Sequence, residues 1–231
     1  MAIKLGIIAE GITDVWTIEN IVEGVFNDGQ DEDIATSTPL QPKTLQDPGS
    51  YTLVFDFLKS GKLQEFLQEP NSYAIIHIDT DTVGRWSEYP WTDEIKEILN
   101  GIPRLDGNSH AKIDETITKV IGFLLKIIGE TANDIASRLV FAIAINEIEC
   151  WILTLHSTRK TDNDKIANCL NGLNKNGFSI DQNNKALNHG KFFRPAIQDL
   201  MKRKEIERIA TKNKSLEFFL KQLENLKANN I

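Results

Sequence analysis

Apolar residues fall along this chain in two rhythms. Short, nearly continuous runs occur at residues 2–9, at 73–79 and at 138–146. Stripes at three- and four-residue spacing fill much of the rest. The first rhythm predicts strands and the second amphipathic helices. In the first run Ile3, Leu5, Ile7 and Ile8 are apolar, and Glu10-Gly11 ends it at a bend that glycine tolerates. Thr13 or Asp14 can cap the helix that follows, whose stripe is Trp16, Ile18, Ile21, Val22 and Val25, ending near Phe26. Residues 27–48 are acidic and turn-rich and read mostly as loop, with room for a short strand at 34–38 or 40–41. Ser50 can cap a helix through Leu58; Ser60-Gly61 interrupts it, 62–68 continue it, and Glu69-Pro70-Asn71 stops it.

The central run, Tyr73-Ala-Ile-Ile-His-Ile-Asp-Thr-Asp-Thr82, ends in two aspartates one residue apart. On a strand such neighbours project to one side, so Asp79 and Asp81 are expected to share a face. An irregular aromatic loop with Arg85, Trp86, Tyr89 and Trp91 follows; a packed loop is favoured over a base-stacking one. Thr92 starts a short helix to Leu99. Ser109 caps a long helix carrying Ile113, Ile117, Val120, Ile121, Leu124, Leu125 and Ile128. The third run is apolar on both faces, as in a parallel sheet. It ends in Asn146-Glu-Ile-Glu-Cys-Trp151, which opens another helix. Beyond His156 the chain reads as helical and polar, with Asn/Lys-rich turns at 171–176 and 182–184 and a closing helix over 215–227. Strands alternating with helices predict an α/β fold: a Rossmann-like parallel sheet flanked by helices over residues 1–157, with a C-terminal helical extension over 158–231 packed on it.

Composition narrows this picture. The 231 residues are 41% apolar and 26% charged, ordinary for a globular chain. No apolar run approaches the roughly 20 residues of a membrane span, and the N-terminus lacks the pattern of a signal peptide. Cys150 and Cys169 make neither a disulfide framework nor a metal knuckle; they read as small buried residues in a reducing compartment, and the protein as cytoplasmic. The net charge of −7 argues against passive binding to nucleic acid. Basic residues do gather late, with Lys191, Arg194, Lys202, Arg203, Lys204, Arg208, Lys212 and Lys214 between Lys185 and Lys227; a solvated helix face is the favoured reading.

The candidate chemistry lies at the strand ends: Glu10 after the first, Asp79 and Asp81 at the second, Glu147 and Glu149 after the third. Each has a plainer reading alone. Glu10, Glu147 and Glu149 suit helix N-termini, and Asp79-Thr80-Asp81 suits a turn bonded to backbone amides. The carboxyl ends of parallel strands share one edge, so the five acids are expected to converge. Hard oxygen donors of this kind suit Mg²⁺ or Mn²⁺, and no His/Cys cluster suggests zinc. His77 and Trp151 read as packed core residues.

In this order the motifs resemble the Toprim-fold family, over about residues 2–157. Glu10-Gly11 with Thr13-Asp14 is similar to that family's first motif, and Asp79-Thr80-Asp81 to its second. Glu147-Ile-Glu149-x-Trp151 resembles the third acidic element of small Toprim-like proteins related to overcoming-lysogenization-defect type nucleases. The resemblance implies Mg²⁺- or Mn²⁺-dependent hydrolysis of phosphodiester bonds in DNA or RNA, alone or with a separate partner protein, as in bacterial and phage defence systems. It implies that Asp79 and Asp81 hold metal, that Glu10 holds metal or acts as general base, and that Glu147 and Glu149 complete the first site or form a second. A basic residue should balance charge at the phosphorus; Arg85, Lys185 and Lys191 are the candidates. The chain lacks the tyrosine domain of topoisomerases, the zinc domain of primases and a Walker A motif. A catalytically inactive binding or regulatory subunit remains the alternative, and a receiver- or phosphatase-like pocket a third reading.

Overall fold

Burial of both faces of one sheet organises the molecule. The computed structural model describes residues 2–30, 34–44, 46–47, 49–105, 110–159, 162, 165–178, 180 and 193–230. Strands β1 (Ile3–Ile8), β2 (Ala35–Gln41), β3 (Ser72–Asp79) and β4 (Leu139–Ala144) form an all-parallel sheet in the order β2-β1-β3-β4. Helices α1 (Ile12–Phe26), α2 (Tyr51–Lys59), α3 (Lys62–Leu67), α4 (Val83–Trp86), α5 (Asp93–Asn100), α6 (Ile113–Ile128) and α7 (Ala132–Ile135) lie between the strands. After β4 come α8 (Glu149–His156), α9 (Cys169–Lys175), α10 (Arg203–Ala210) and α11 (Lys214–Asn230). The fold is the expected α/β one, a parallel sheet flanked by helices with a helical C-terminal part.

Strand periodicity divides the core in two. Leu5, Ile7, Ile75, Val140 and Ala142 face one layer, where Val15 and Ile18 of α1, Trp151 of α8, Ile206 of α10 and Phe219 of α11 pack. Ile8, Ala74, Ile76, Ile78, Phe141 and Ile143 face the other, with Val54 and Phe55 of α2 and Val120 and Phe123 of α6. The C-terminal helices thus share a core with the sheet. Among the described residues, no helix is long and apolar enough to cross a membrane.

Local chemistry places most boundaries. Ser50 caps α2, its Oγ accepting from the Thr52 N–H at 3.2 Å. Three expectations are corrected. β2 is one strand spanning both candidate stretches, because the buried edge of β1 pairs with it along its length. The cap of α1 is Gly11, not Thr13 or Asp14; Asp14 sits inside the first turn and accepts the Gly11 N–H at 2.8 Å. The Asn/Lys-rich stretch read as turn at 171–176 is mostly α9, because Cys169, Leu170 and Leu173 are buried on one side of it. Ser109 and residues 182–184 lie outside the described residues.

The edge strand β4 is sealed by a side chain. Gln222 of α11 accepts from the Phe141 N–H at 3.0 Å and donates to the Phe141 carbonyl at 2.9 Å, standing in for a neighbouring strand. Gln222→Ala leaves both backbone groups unpaired, at a cost of about 1–3 kcal/mol. A fall of roughly 2–8 °C in Tm is expected at this chain length. A thermal melt unchanged within 1 °C would show that water replaces the amide.

Candidate functional site

The sheet order reverses between β1 and β3: the chain leaves β1 for β2 on one side and returns to β3 on the other. Such a switch point opens a crevice at the carboxyl ends of the two strands. Glu10 and Asp79 meet there, the Asp79 N–H donating to Glu10 Oε1 at 2.9 Å. The loop before α2 presses on this turn. A Cβ on Gly49 would lie 2.5 Å from the Glu10 carbonyl oxygen, so only glycine admits the approach.

Asp79 closes β3 on the face of Ile75 and His77. Its Oδ1 accepts the Ile148 N–H at 3.0 Å, tying β3 to the turn after β4. Burial pushes the Asp79 carboxyl well above the usual carboxylate range, and Asp14, Glu149, Asp81 and Glu147 push it further. Burial likewise raises Glu10 well above its ordinary value. Asp79 adds to this, its N–H opposes it, Asp14 raises it again and His77 lowers it. The charges that raise Asp79 and Glu10 most are the other expected acids, with Asp14 as a sixth. Asp81 departs from expectation. β3 ends at Asp79, and Asp81 lies in the following turn, exposed, its N–H bonded to the Asn146 carbonyl at 3.0 Å.

Glu147 and Glu149 part company at the start of α8. Glu149 is its first residue. Glu147 precedes it, and its Oε1 accepts the N–H groups of Cys169 at 2.6 Å and Leu170 at 3.3 Å, joining the site to α9. A disulfide joins Cys150 to Cys169 beside it, which corrects the expectation of two reduced cysteines: α8 and α9 bring their Cα atoms to 4.9 Å. Glu147→Ala removes the anchor of α9, worth about 1 kcal/mol. Glu149 is a repulsive neighbour of Asp79. In chelator, Glu147→Ala is expected to melt roughly 2–4 °C below wild type. A melt unchanged within 1 °C would show that α9 does not depend on this anchor.

Of the three expected basic partners, only Arg85 lies among the described residues. Arg85 is exposed on α4, 3.9 Å from Glu88 and 6.0 Å from the Tyr51 ring. Lys185 and Lys191 lie outside the described residues. In the late basic stretch Lys202 pairs with Asp199, Arg203 with Glu207 and Glu224, and Arg208 with Glu205, while Arg194 stacks on Trp16. The aromatic loop is packed: Trp86 and Trp91 are buried against Phe55 and Phe123. Trp151 is core, stacked on Phe219 with its N–H on Ser215.

Two site residues escaped the sequence as participants. Asp14 read only as a cap, although it lies one helical turn from Glu10. His77 read as core, and it is fully buried. Its Nδ1 donates to the Ala142 carbonyl at 2.7 Å. That aims Nε2 at Asp79 Oδ1, 3.3 Å away, and Asp14 Oδ2, 3.8 Å away, without hydrogen-bond geometry to either. Alternation two residues before Asp79 was the available signal.

A divalent ion can be tested against these donors. Carboxylate oxygens that repel one another suit a hard cation such as Mg²⁺ or Mn²⁺. The spacing is open: among the described residues, the one set of three donor side chains within 4.8 Å of one another is Glu147, Cys150 and Cys169, whose sulfurs are joined to each other. The chemistry of the donors fits the ion, then, without a closed first shell. No family model, curated protein or solved structure matches the chain.

Proposed function

We propose that this protein is a Mg²⁺- or Mn²⁺-dependent, Toprim-like phosphodiester hydrolase acting on nucleic acid, alone or with a partner protein. The observation that carries the reading is the gathering of Glu10, Asp14, Asp81, Glu147 and Glu149 about Asp79 at the switch point of a parallel sheet. Carboxylates gathered this closely repel one another and cost stability, and a bound cation offsets that cost.

Asp79, Asp81 and Glu10, with Asp14 beside them, would hold the ion. When bound it neutralises the phosphate and lowers the pKa of attacking water. The chain's own groups do the rest. The Ile148 N–H orients Asp79, and the Asp79 N–H orients Glu10, leaving the second Glu10 oxygen outside that bond. Burial raises the Glu10 carboxyl above its ordinary value, the direction that strengthens a general base. Exposed Asp81 stands at the solvent side, where a substrate enters. Glu147, held by the α9 amides, sets the wall of the site more than its chemistry.

The open spacing of the donors favours a second reading, a metal-free binding subunit that keeps the fold. Incubating supercoiled plasmid and single-stranded RNA with protein and Mg²⁺, Mn²⁺ or chelator separates the two. Metal-dependent cleavage supports the hydrolase. Inertness of the wild type on every substrate, with the products of neighbouring genes restored, supports the binding subunit.

A further inference from the structure

The acidic site opens on one side into a longer cleft. A depression of about 280 Å³ is lined by Asp81, Asn146, Glu147, Asn168 and Asn171. A second, of about 300 Å³, is lined by Arg159, Asp162, Lys165, Asn168, Asn171 and Lys175. Asn168 and Asn171 line both, so the two adjoin over the N-terminal half of α9. Across the pair the lining runs from carboxylates to cations.

The charge changes sign along it. At the far end Lys165 lies 3.6 Å from Asp162, whose other oxygen accepts the Ser157 hydroxyl. Asp162 is buried there, while Arg159 and Lys175 are exposed and make no ion pair among the described residues. Among the described lining residues, three cations therefore accompany one carboxylate already engaged by a hydroxyl. Between the two ends lie amides, which donate to phosphate oxygens without repelling an anion. The wall is held in place: Glu147 binds the first amides of α9, and the disulfide ties Cys169 to α8.

We propose that this cleft binds the sugar–phosphate backbone of a single-stranded nucleic acid, with Arg159, Lys165 and Lys175 gripping phosphates a few nucleotides from the bond at the acidic site. This extends the hydrolase reading above and rests on it for the end at Asp81. Depressions of this size, at the small end of ligand pockets (roughly 300–1,000 Å³), suit one flexible strand. Among the described residues no aromatic ring lines either one. Recognition is therefore of the backbone and indifferent to sequence, unlike the stacking platforms of many single-strand binders. A chain of net charge −7 needs such a local grip, because its overall field repels the ligand.

The test is fluorescence anisotropy with labelled single-stranded DNA, single-stranded RNA and duplex oligonucleotides of random sequence, in Ca²⁺ and in chelator, across a salt series. The proteins are the full-length wild type, Asp79→Asn, and the triple variant Arg159→Ala/Lys165→Ala/Lys175→Ala. Circular dichroism melts verify that each folds. The wild type is expected to bind single strands more tightly than duplex. The slope of log affinity against log salt should fall by about 2 in the triple variant, three contacts at about 0.7 each, with binding weakened about tenfold or more. An unchanged slope in a folded triple variant overturns the cleft, as does absence of binding by the wild type or a preference for duplex. Cleavage by the wild type with a KM that the triple variant shares removes the cleft and leaves the hydrolase standing. Salt-sensitive binding through the cleft with no cleavage in any metal keeps the cleft and removes the hydrolase.

Discussion

Asp79→Ala is expected to abolish the proposed metal-dependent strand cleavage, and Glu10→Ala to do the same, each with the fold retained. Both residues sit past or at the end of a strand, outside the apolar layers on either face of the sheet. Losing a principal ligand forfeits several kcal/mol of charge stabilisation, more than about 100-fold in rate. Glu10→Ala also leaves the Asp79 N–H without its acceptor, so the pair should not add: the double variant is expected to lose little more than either single one. The assay is initial-rate cleavage of a labelled oligonucleotide and of supercoiled plasmid over a Mn²⁺ titration. Activity surviving in Asp79→Ala would place the chemistry elsewhere or expose a contaminant.

The second large effect is on stability and runs opposite to habit. Without metal and near pH 7, Asp79→Asn is expected to melt above the wild type. The folded-state pKa values of Glu10 and Asp79 are raised, by burial first and by acidic neighbours next. A carboxyl raised in this way favours the fold where it is protonated. Its contribution is complete below the ordinary carboxylate value of about 4 and is lost as pH rises through the raised value. Asn carries no proton to lose and can still accept the Ile148 N–H, so it keeps the stability that wild type gives up. The advantage of Asp79→Asn should therefore shrink as pH falls towards 4. Mn²⁺ acts on the same cost. At a hundred times its Kd it should stabilise the wild type by about 2.7 kcal/mol, roughly 5–10 °C in Tm, and leave Asp79→Asn nearly unmoved. Calorimetric melts over pH 4–8, with and without Mn²⁺, measure both effects. A wild type more stable than Asp79→Asn in chelator at neutral pH would mean that Asp79 is favourably held as an anion. That would remove the electrostatic argument for the ion.

These effects depend on contacts of very different legibility. Strand alternation and helical stripes are local properties of the chain. That is why the parallel sheet, its four-residue-spaced helices and the Ser50 cap could be read from the residues alone, and why Glu10, Asp79, Glu147 and Glu149 could be assigned to one edge. β2 was less legible because Pro39 and the polar residues around it carry little strand signal; pairing with β1 supplies what its own residues lack. The bend at Asp79 that leaves Asp81 exposed depends on hydrogen bonds to the turn after β4, which follows more than sixty residues later in sequence.

By itself the sequence determined the fold class, three of the four strands, and the placing of Glu10, Asp79, Glu147 and Glu149 near strand ends. Tertiary structure alone decided how those acids divide. The turn from β1 into α1 brought Asp14 beside His77 and Asp79. Packing of α9 against α8 took Glu147 as its anchor, paired Cys150 with Cys169, and opened the cleft towards Arg159, Lys165 and Lys175. The reason is physical. Periodicity is set by the backbone within a few residues, whereas the energy of a buried charge depends on which distant groups share its surroundings, and no spacing along the chain records that.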